Sequence, residues 1–355
     1  MRLLSILTLS LLMCLPVRAK DLTIVSWGGA YEAAQQRALL KPFVVVTGST
    51  VSVRTYAGGL DAIRERAKAE AWDVIDMSED EAIAACELGL IAKVDVQSLL
   101  VPVRGTILEE DFLPGALREC SVAQNLFATV FAYDDRAYPG VKPTRIEDFF
   151  DVKNFPGKRA LQSSPDVILE WALLAEGVPA RQVYDLLSTD RGLRLAFRKL
   201  DALRGHIVWW RDPQEPARLL SEGEVSMASG FNGRFFAVAN DDDAPVNIVW
   251  DGQIISFDVL AISASSNKKE LAEEFIAYAT QPDQMARLAE HIPYGPARRS
   301  AFNRIGLHWR SQVPMRNHLP GSVSGRGRAL YRDAKWYAHT QDLRNKRFEA
   351  WMKAE

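Results

Sequence analysis

The chain has 355 residues, of which 48% are hydrophobic and 25% charged, with a formal net charge of -2. That length exceeds one ordinary core and accommodates two domains of common size, and the composition is that of a globular protein rather than a fibre or a disordered tail. No basic block runs beyond a few residues, which argues against nucleic-acid binding through phosphate neutralisation.

Residues 1–19 have the order of a secretory signal: Arg2 supplies the positive start, Leu3 to Leu15 is apolar apart from Ser5, Thr8 and Ser10, and Pro16-Val17-Arg18-Ala19 has the form of a cleavage site. The apolar run is too short to cross a bilayer; a buried N-terminal strand is the plain alternative. Removing residues 1–19 takes Arg2 and Arg18 from a chain of net charge -2, leaving -4. No later stretch approaches the ~18–20 apolar residues of a membrane span, so the expectation is a soluble protein exported to the periplasm. Cys14 leaves with the signal. Cys86 and Cys120 remain as an even pair in an oxidising compartment, where a disulfide would close a loop of about 35 residues and add about 3–4 kcal/mol. Two buried free thiols or a metal pair are the alternatives, although no nearby histidine supplies further ligands.

Asp21 to Ser26 reads as a strand running into Trp27-Gly28-Gly29-Ala30-Tyr31, with a helix from Glu32 to Phe43. A strand over Ser49 to Thr55, a helix over Leu60 to Ala71, a strand over Asp73 to Met77 and a helix from about Glu79 follow. Such alternation indicates βαβ units and a mostly parallel sheet. Phe127 to Tyr133 is a strand, Ile146 to Phe150 a helix, Arg159 to Gln162 a strand, and Asp166 to Glu176 and Leu193 to Leu203 are helices. Ile207 to Trp210, Ser226 to Phe231 and Ile254 to Ser263 read as strands, and Glu215 to Glu222 and Lys269 to Thr280 as helices. No Gly/Ser linker separates two halves, so a chain that leaves one lobe, builds a second and returns through strands fits better than a tethered pair. The tail from Trp309, richer in Arg and helix formers, is expected to wrap the outside.

Several phrases in order resemble the polyamine-type (spermidine/putrescine) periplasmic substrate-binding proteins of ABC transporters. They are LTIVSWGGAY at 22–31, AWDVIDMS at 71–78, ELGLI at 87–91 and FAYDDRAYPGVKPTRIEDFFD at 131–151. EGEVSMASGFNGR at 222–234, SFDVLAIS at 256–263 and AEEFIAYATQPDQMARLAEHIPYGPARRSA at 272–301 continue the series. The resemblance implies an α/β fold of the two-lobed type II periplasmic-binding kind, each lobe a mostly parallel sheet flanked by helices. Two hinge strands are expected near Tyr133 and near Ile254 to Asp258. Lobe 1 is expected over 20–132 plus 256–300, and lobe 2 over 133–255 plus 301–355. It implies a monomeric receptor that hands a small amine to membrane permease subunits, with no cofactor, metal or nucleic acid.

Amine capture needs carboxylates for the ammonium and aromatic faces for the methylenes, placed at strand C-termini where an open α/β sheet presents its crevice. Trp27 follows a strand, and Gly28-Gly29 allows close backbone approach; a core tryptophan is the alternative. Tyr31, one turn on, is a second wall or a capping aromatic. Ser78, Glu79 and Asp80 follow the third strand, where the two acids are equally at home in a helix first turn. Phe231, Asn232 and Arg234 follow another strand and resemble the family's aromatic-Asn-Gly, with Phe in place of the usual Trp. Asp258 falls where the family places its main ammonium-binding aspartate, and a carboxylate within an apolar strand is costly unless paired; a hinge ion pair is the alternative. Tyr294 matches the family's late aromatic wall.

One departure concerns the ligand. Where polyamine receptors carry an acidic pair in the second lobe, this chain has Gln162-Ser163-Ser164-Pro165, so the far ammonium lacks a partner unless Asp166 or Glu170 substitutes. Trp209, Trp210, Arg211 and Arg234 belong to the same lobe, and an arginine in the cleft would reject a dication and welcome a carboxylate. The main expectation is a polyamine such as putrescine or spermidine; an ω-amino acid is its rival. An enzyme is disfavoured, because GxGxxG, Walker, HExxH and GxSxG motifs are missing and the five histidines show no metal spacing. An oxyanion on the helix start at Ser163-Ser164 would be opposed by Asp258.

Overall fold

The computed structural model describes residues 21–321 and 327–354; the expected signal over 1–19 lies outside them. Ten strands are β1 Asp21–Ser26, β2 Thr50–Thr55, β3 Val74–Ser78, β4 Ser121–Asp134, β5 Arg159–Gln162, β6 Ile207–Trp210, β7 Met227–Phe231, β8 Val246–Ile262, β9 Gly295–Pro296 and β10 Ala329–Tyr331. They form one sheet ordered β2-β1-β3-β8-β4-β7-β5-β6, with β9 on β4 and β10 on β8. The strands β1, β2 and β3 run parallel, as do β5, β6 and β7. Between these groups stand β4 and β8, of 14 and 17 residues, antiparallel to each other and to their outer neighbours. Each group of three with its flanking helices builds a lobe, and β4 and β8 run through both.

The register of the long pair sets where the parallel strands end. Ser78 closes β3 opposite Asp258, and Phe231 closes β7 opposite Thr129, itself opposite Ile254. The C-terminal ends of strands from both lobes therefore point at the same middle stretch of the long pair, which is where an α/β crevice binds ligand.

The long strands extend well beyond the predicted 127–133 and 254–263. Their added portions carry Gln124, Asn125, Asp251 and Gln253, which interrupt the apolar run that announces a central strand. Most of these side chains are held by fixed partners. Asp251 accepts the Ile146 N–H at 3.0 Å and pairs with Arg328 at 2.7 Å, and Gln253 accepts the Gly321 N–H at 3.0 Å. Helices over Asn232–Asn240 and Pro282–His291 were absent from the sequence reading, and the tail resolves into a helix over Ala334–Met352. That helix sets Phe348 and Trp351 into the second lobe's core and lies along Glu79–Glu87 of the first. Phe302, Ile305, Met315 and Leu319 pack with Phe236, Ala286 and Ala289.

Cys86 and Cys120 are joined by a disulfide with Cα atoms 5.9 Å apart, fastening the Glu79–Glu87 helix beside the start of β4. Close by, the buried Arg298 guanidinium donates to Asp111 at 2.8 Å and to the Thr280 carbonyl at 3.2 Å. Asp111 also accepts the Ser300 N–H and hydroxyl, each at 2.8 Å. These donors hold its carboxyl below the ordinary range against the opposing effect of burial, which is the largest single influence.

Candidate ligand-binding site

Two carboxylates come together under the middle of the sheet. Asp76 on β3 and Asp258 on β8 are buried, and their strands pair so that Asp76 lies one step diagonally from Asp258 on the same face. Asp76 is well supplied with donors: Trp27 Nε1 at 3.2 Å, the Tyr31 hydroxyl at 2.7 Å and Gln35 Nε2 at 2.5 Å. Burial outweighs them and lifts its carboxyl to about 7. Asp258 is held differently. Among the described residues no donor and no cation reaches its carboxylate, and burial, then repulsion from Asp76, drives its pKa well above the usual range.

Aromatic rings wall these acids. Trp27 stacks on Tyr56 with centroids 5.1 Å apart, and Tyr31 lies 5.5 Å from Tyr294. Phe127 bridges Tyr294 at 5.8 Å and Phe231 at 5.4 Å. The hydroxyls of Tyr31, Tyr56 and Tyr294 are pushed up first by burial, and each also feels both Asp76 and Asp258. Glu81 accepts the Gly59 N–H at 2.7 Å and rises to about 7 through burial and the neighbouring Asp80.

A β-bulge shapes the floor. In the β4–β8 register Ala123 faces Val259 and Asn125 faces Asp258, leaving Gln124 as the extra residue. The bulge brings two successive amides to one hydroxyl: Asn125 Nδ2 donates to the Tyr31 oxygen at 2.8 Å, and Tyr31 reaches Gln124 Oε1 at 3.4 Å. Asn125 Oδ1 and Gln124 Nε2 are buried without a partner among the described residues.

Arg234 brings a cation to this acidic pocket. Arg234 stands in the first turn of the Asn232–Asn240 helix after β7, and a Cβ placed on Gly29 would lie 2.6 Å from its Nη1. Glycine is favoured at 29 because its φ is +59°, a conformation side chains rarely adopt, and its bare Cα leaves the end of the Arg234 side chain where it lies. Gly233 serves the same end, since a Cβ there would meet the Tyr294 ring at 2.8 Å. Among the described residues no carboxylate pairs with Arg234. Its charge lowers the Tyr294 hydroxyl while Asp258 and Asp76 raise it, so one ring senses the cation and both acids.

The structure brings together Trp27, Tyr31, Phe231, Arg234, Asp258 and Tyr294 of the residues predicted from sequence, with Ser78 at the β3 end beside them. Two other predicted contacts have their polar atoms engaged by the protein. Asn232 is fully buried, donating to the Pro293 carbonyl at 2.7 Å and accepting the Ala128 N–H at 3.0 Å, which locks the helix start onto β4. Asp80 pairs with Arg332 at 3.1 Å. The same arginine lies 3.4 Å from Asp166 and stacks over Tyr337 at 3.5 Å, tying the two lobes beside β10. Glu79 is held by Arg118 at 2.8 Å. Trp210 is a core residue donating to Ser229 at 3.1 Å, Trp209 packs on Phe348 and Trp351, and Arg211 is exposed.

Sequence reading missed Asp76, Asn125, Gln35 and Tyr56. The rule that singled out Asp258 was available for Asp76, an acid within Val74-Ile75-Asp76-Met77. Gln124 and Asn125 carried no comparable signal, because their role depends on a bulge.

Residues 38–309 match the sequence model described as bacterial extracellular solute-binding protein. A γ-aminobutyric acid (GABA)-binding protein of Pseudomonas aeruginosa is 33% identical over 351 residues, 98% of this chain and 95% of its own. The putrescine-binding periplasmic protein PotF of Escherichia coli is 28% identical over only 89 residues, 23% of this chain and 24% of its own. The structure of an ABC transporter substrate-binding protein from Bradyrhizobium japonicum superposes with a TM-score of 0.80 at 30% identity, covering 94% of this chain and 99% of that one. A GABA receptor structure gives 0.78 at 27% identity over 94% and 97%.

Proposed function

Since the chain belongs to the bacterial extracellular solute-binding protein family, we propose that it is the capture receptor of an ABC importer and takes an ω-amino acid such as GABA. In this reading the ligand ammonium lies on Asp258 against the Tyr31, Trp27 and Tyr294 faces, and its carboxylate on Arg234. Lobe 1 is taken as 20–132 plus 256–300 and lobe 2 as 133–255 plus 301–355, with Ser78 and Phe231 completing the rim.

The observation that carries the proposal is a buried carboxylate and a guanidinium, each unpaired among the described residues, that face one tyrosine. A zwitterion gives each its missing partner in one event: cation to carboxylate in a desolvated site, and carboxylate to guanidinium, which it meets bidentately. A diamine satisfies one end and sets its second cation against Arg234. The acids that could have rescued a diamine are occupied. Asp166 is paired with Arg344 and Arg332. Glu170 is buried and accepts from the Tyr337 hydroxyl and from Tyr184 at 3.4 Å. The polyamine expectation therefore has less support than the ω-amino acid, in line with the two GABA-binding relatives.

Contacts from both lobes favour the closed state over the open one. Export to the periplasm and action as a monomer complete the proposal. Calorimetric titration with ω-amino acids of three to six carbons, putrescine and spermidine is the test. Binding of an ω-amino acid with neither polyamine binding is the expected outcome; tight putrescine binding with no amino-acid binding overturns the reading.

A further inference from the structure

Asp258 is the acceptor assigned to the ligand ammonium above, and a primary ammonium carries three N–H donors. One carboxylate against a cross-strand neighbour leaves room for another acceptor, and the structure has one in place. Asn125 is the register partner of Asp258 on the adjoining antiparallel strand, so the two side chains leave the same face with Cβ atoms about 4.5–5.5 Å apart. Asn125 is 2% exposed, and its buried Oδ1 has no hydrogen bond among the described residues. A buried amide oxygen in that condition calls for a donor that the protein does not supply.

The direction of that oxygen is set by a chain of hydrogen bonds. The Ser26 hydroxyl donates to Gln35 Oε1 at 2.6 Å, and Gln35 Nε2 donates to Asp76 at 2.5 Å. From the other side the Tyr31 hydroxyl donates to the same Asp76 oxygen at 2.7 Å, which leaves the Tyr31 oxygen to accept from Asn125 Nδ2 at 2.8 Å. Trp27 Nε1 and Gln35 Nε2 donate to Asp76, and at a pH above about 7, where its carboxylate is ionised and only accepts, Tyr31 donates toward it and Asn125 presents its amide nitrogen to Tyr31. The amide is thereby fixed with its carbonyl oxygen left over. In this chain the Asp76 carboxylate and the Tyr31 hydroxyl act through Asn125 as positioning groups, apart from the ring face that Tyr31 offers the ligand.

Resting on the ω-amino acid reading, we propose that Asn125 is a specificity-determining residue. Its side-chain oxygen is the second acceptor for the ligand ammonium, and with Asp258 it selects primary amines over fully N-alkylated ones. Charge alone satisfies Asp258, and the aromatic walls would welcome a methylated cation. Only N–H donors satisfy Asn125. A dimethylamino ligand has one N–H for two acceptors, and a trimethylammonio ligand has none.

The test compares 4-aminobutyrate with 4-(dimethylamino)butyrate and 4-(trimethylammonio)butyrate by calorimetry on the wild type and on Asn125→Leu, which keeps the size of the side chain and removes the acceptor. Simple steric exclusion of methyl groups persists in Asn125→Leu, whereas selection by hydrogen bonding does not. The expected result is about a 10- to 100-fold loss of 4-aminobutyrate affinity with methylated affinities unchanged or improved, so the selectivity ratio narrows. An unchanged ratio, including equal weakening of all three ligands, overturns the inference. Tyr31→Phe, which frees the amide while keeping the ring, is the second variant. A partial narrowing of the same ratio is expected there, and an unchanged ratio counts against the positioning chain even if Asn125→Leu fails to fold. Should 4-aminobutyrate not bind the wild type, the ω-amino acid reading falls and this inference with it. A normal wild-type affinity with an unchanged ratio in the variants removes this inference alone.

Discussion

Replacing Asp258 with Asn separates its two conceivable roles, because the change preserves shape and removes only charge. Asp258 has no cation or donor among the described residues, and burial with repulsion from Asp76 raises its pKa. An ammonium on this carboxylate makes charge-assisted hydrogen bonds worth about 1.5–3 kcal/mol each. Asn retains a neutral acceptor, so the net loss should be about 2–4 kcal/mol, or about 30- to 1,000-fold in Kd. The fold should respond oppositely. A carboxyl whose pKa is raised in the folded state withdraws stability as pH climbs from the ordinary carboxylate range through its folded value. Asp258→Asn should therefore raise Tm at about pH 8 and leave it unchanged near pH 4. Calorimetric titration with 4-aminobutyrate and thermal melts at the two pH values measure both effects. A Kd within about threefold of wild type together with a lowered Tm at pH 8 refutes the reasoning, since that pairing belongs to a structural acid.

Arg234→Ala should reduce affinity for ω-amino acids by about 2 kcal/mol or more while binding of a monoamine such as n-butylamine stays unchanged or improves; a competition titration reads both. Reducing the Cys86–Cys120 bridge should cost about 3–4 kcal/mol of stability, seen as a lower denaturation midpoint, and the unreduced, unfolded protein should show no thiol from this pair with a thiol reagent. Arg298→Met leaves the buried Asp111 carboxylate without its cation and should cost about 3–5 kcal/mol in urea unfolding, with ligand affinity unchanged in the protein that remains folded.

Much of the architecture was legible because its outer strands announce themselves. Thr23 to Val25, Val74 to Met77 and Met227 to Phe231 are short apolar runs set off by glycine or helix starts, and the sequence reading placed their ends close to the observed ones. The central strands were half legible. Polar Gln124, Asn125, Asp251 and Gln253 break their apolar run, and most of these side chains find partners only after the second lobe and the tail have folded against them. Trp27, Tyr31, Arg234 and Asp258 were legible as candidates because each follows or interrupts a strand, and Tyr294 only through the family resemblance. Which of them share a pocket was not, since β3 and β8 are separated by some 170 residues and become neighbours only through the antiparallel register of β8. Asn232 is the converse case: a polar residue at a strand end looks the same in sequence whether it faces a cleft or, as here, bonds the Pro293 carbonyl and the Ala128 N–H.

Which end of the ligand meets which residue is tested most directly by a crystal structure of the protein with 4-aminobutyrate bound. The predicted complex has the ammonium nitrogen about 2.7–2.9 Å from an Asp258 oxygen and both carboxylate oxygens on the Arg234 guanidinium. A ligand lying in the reverse orientation, or one held by neither residue, contradicts it.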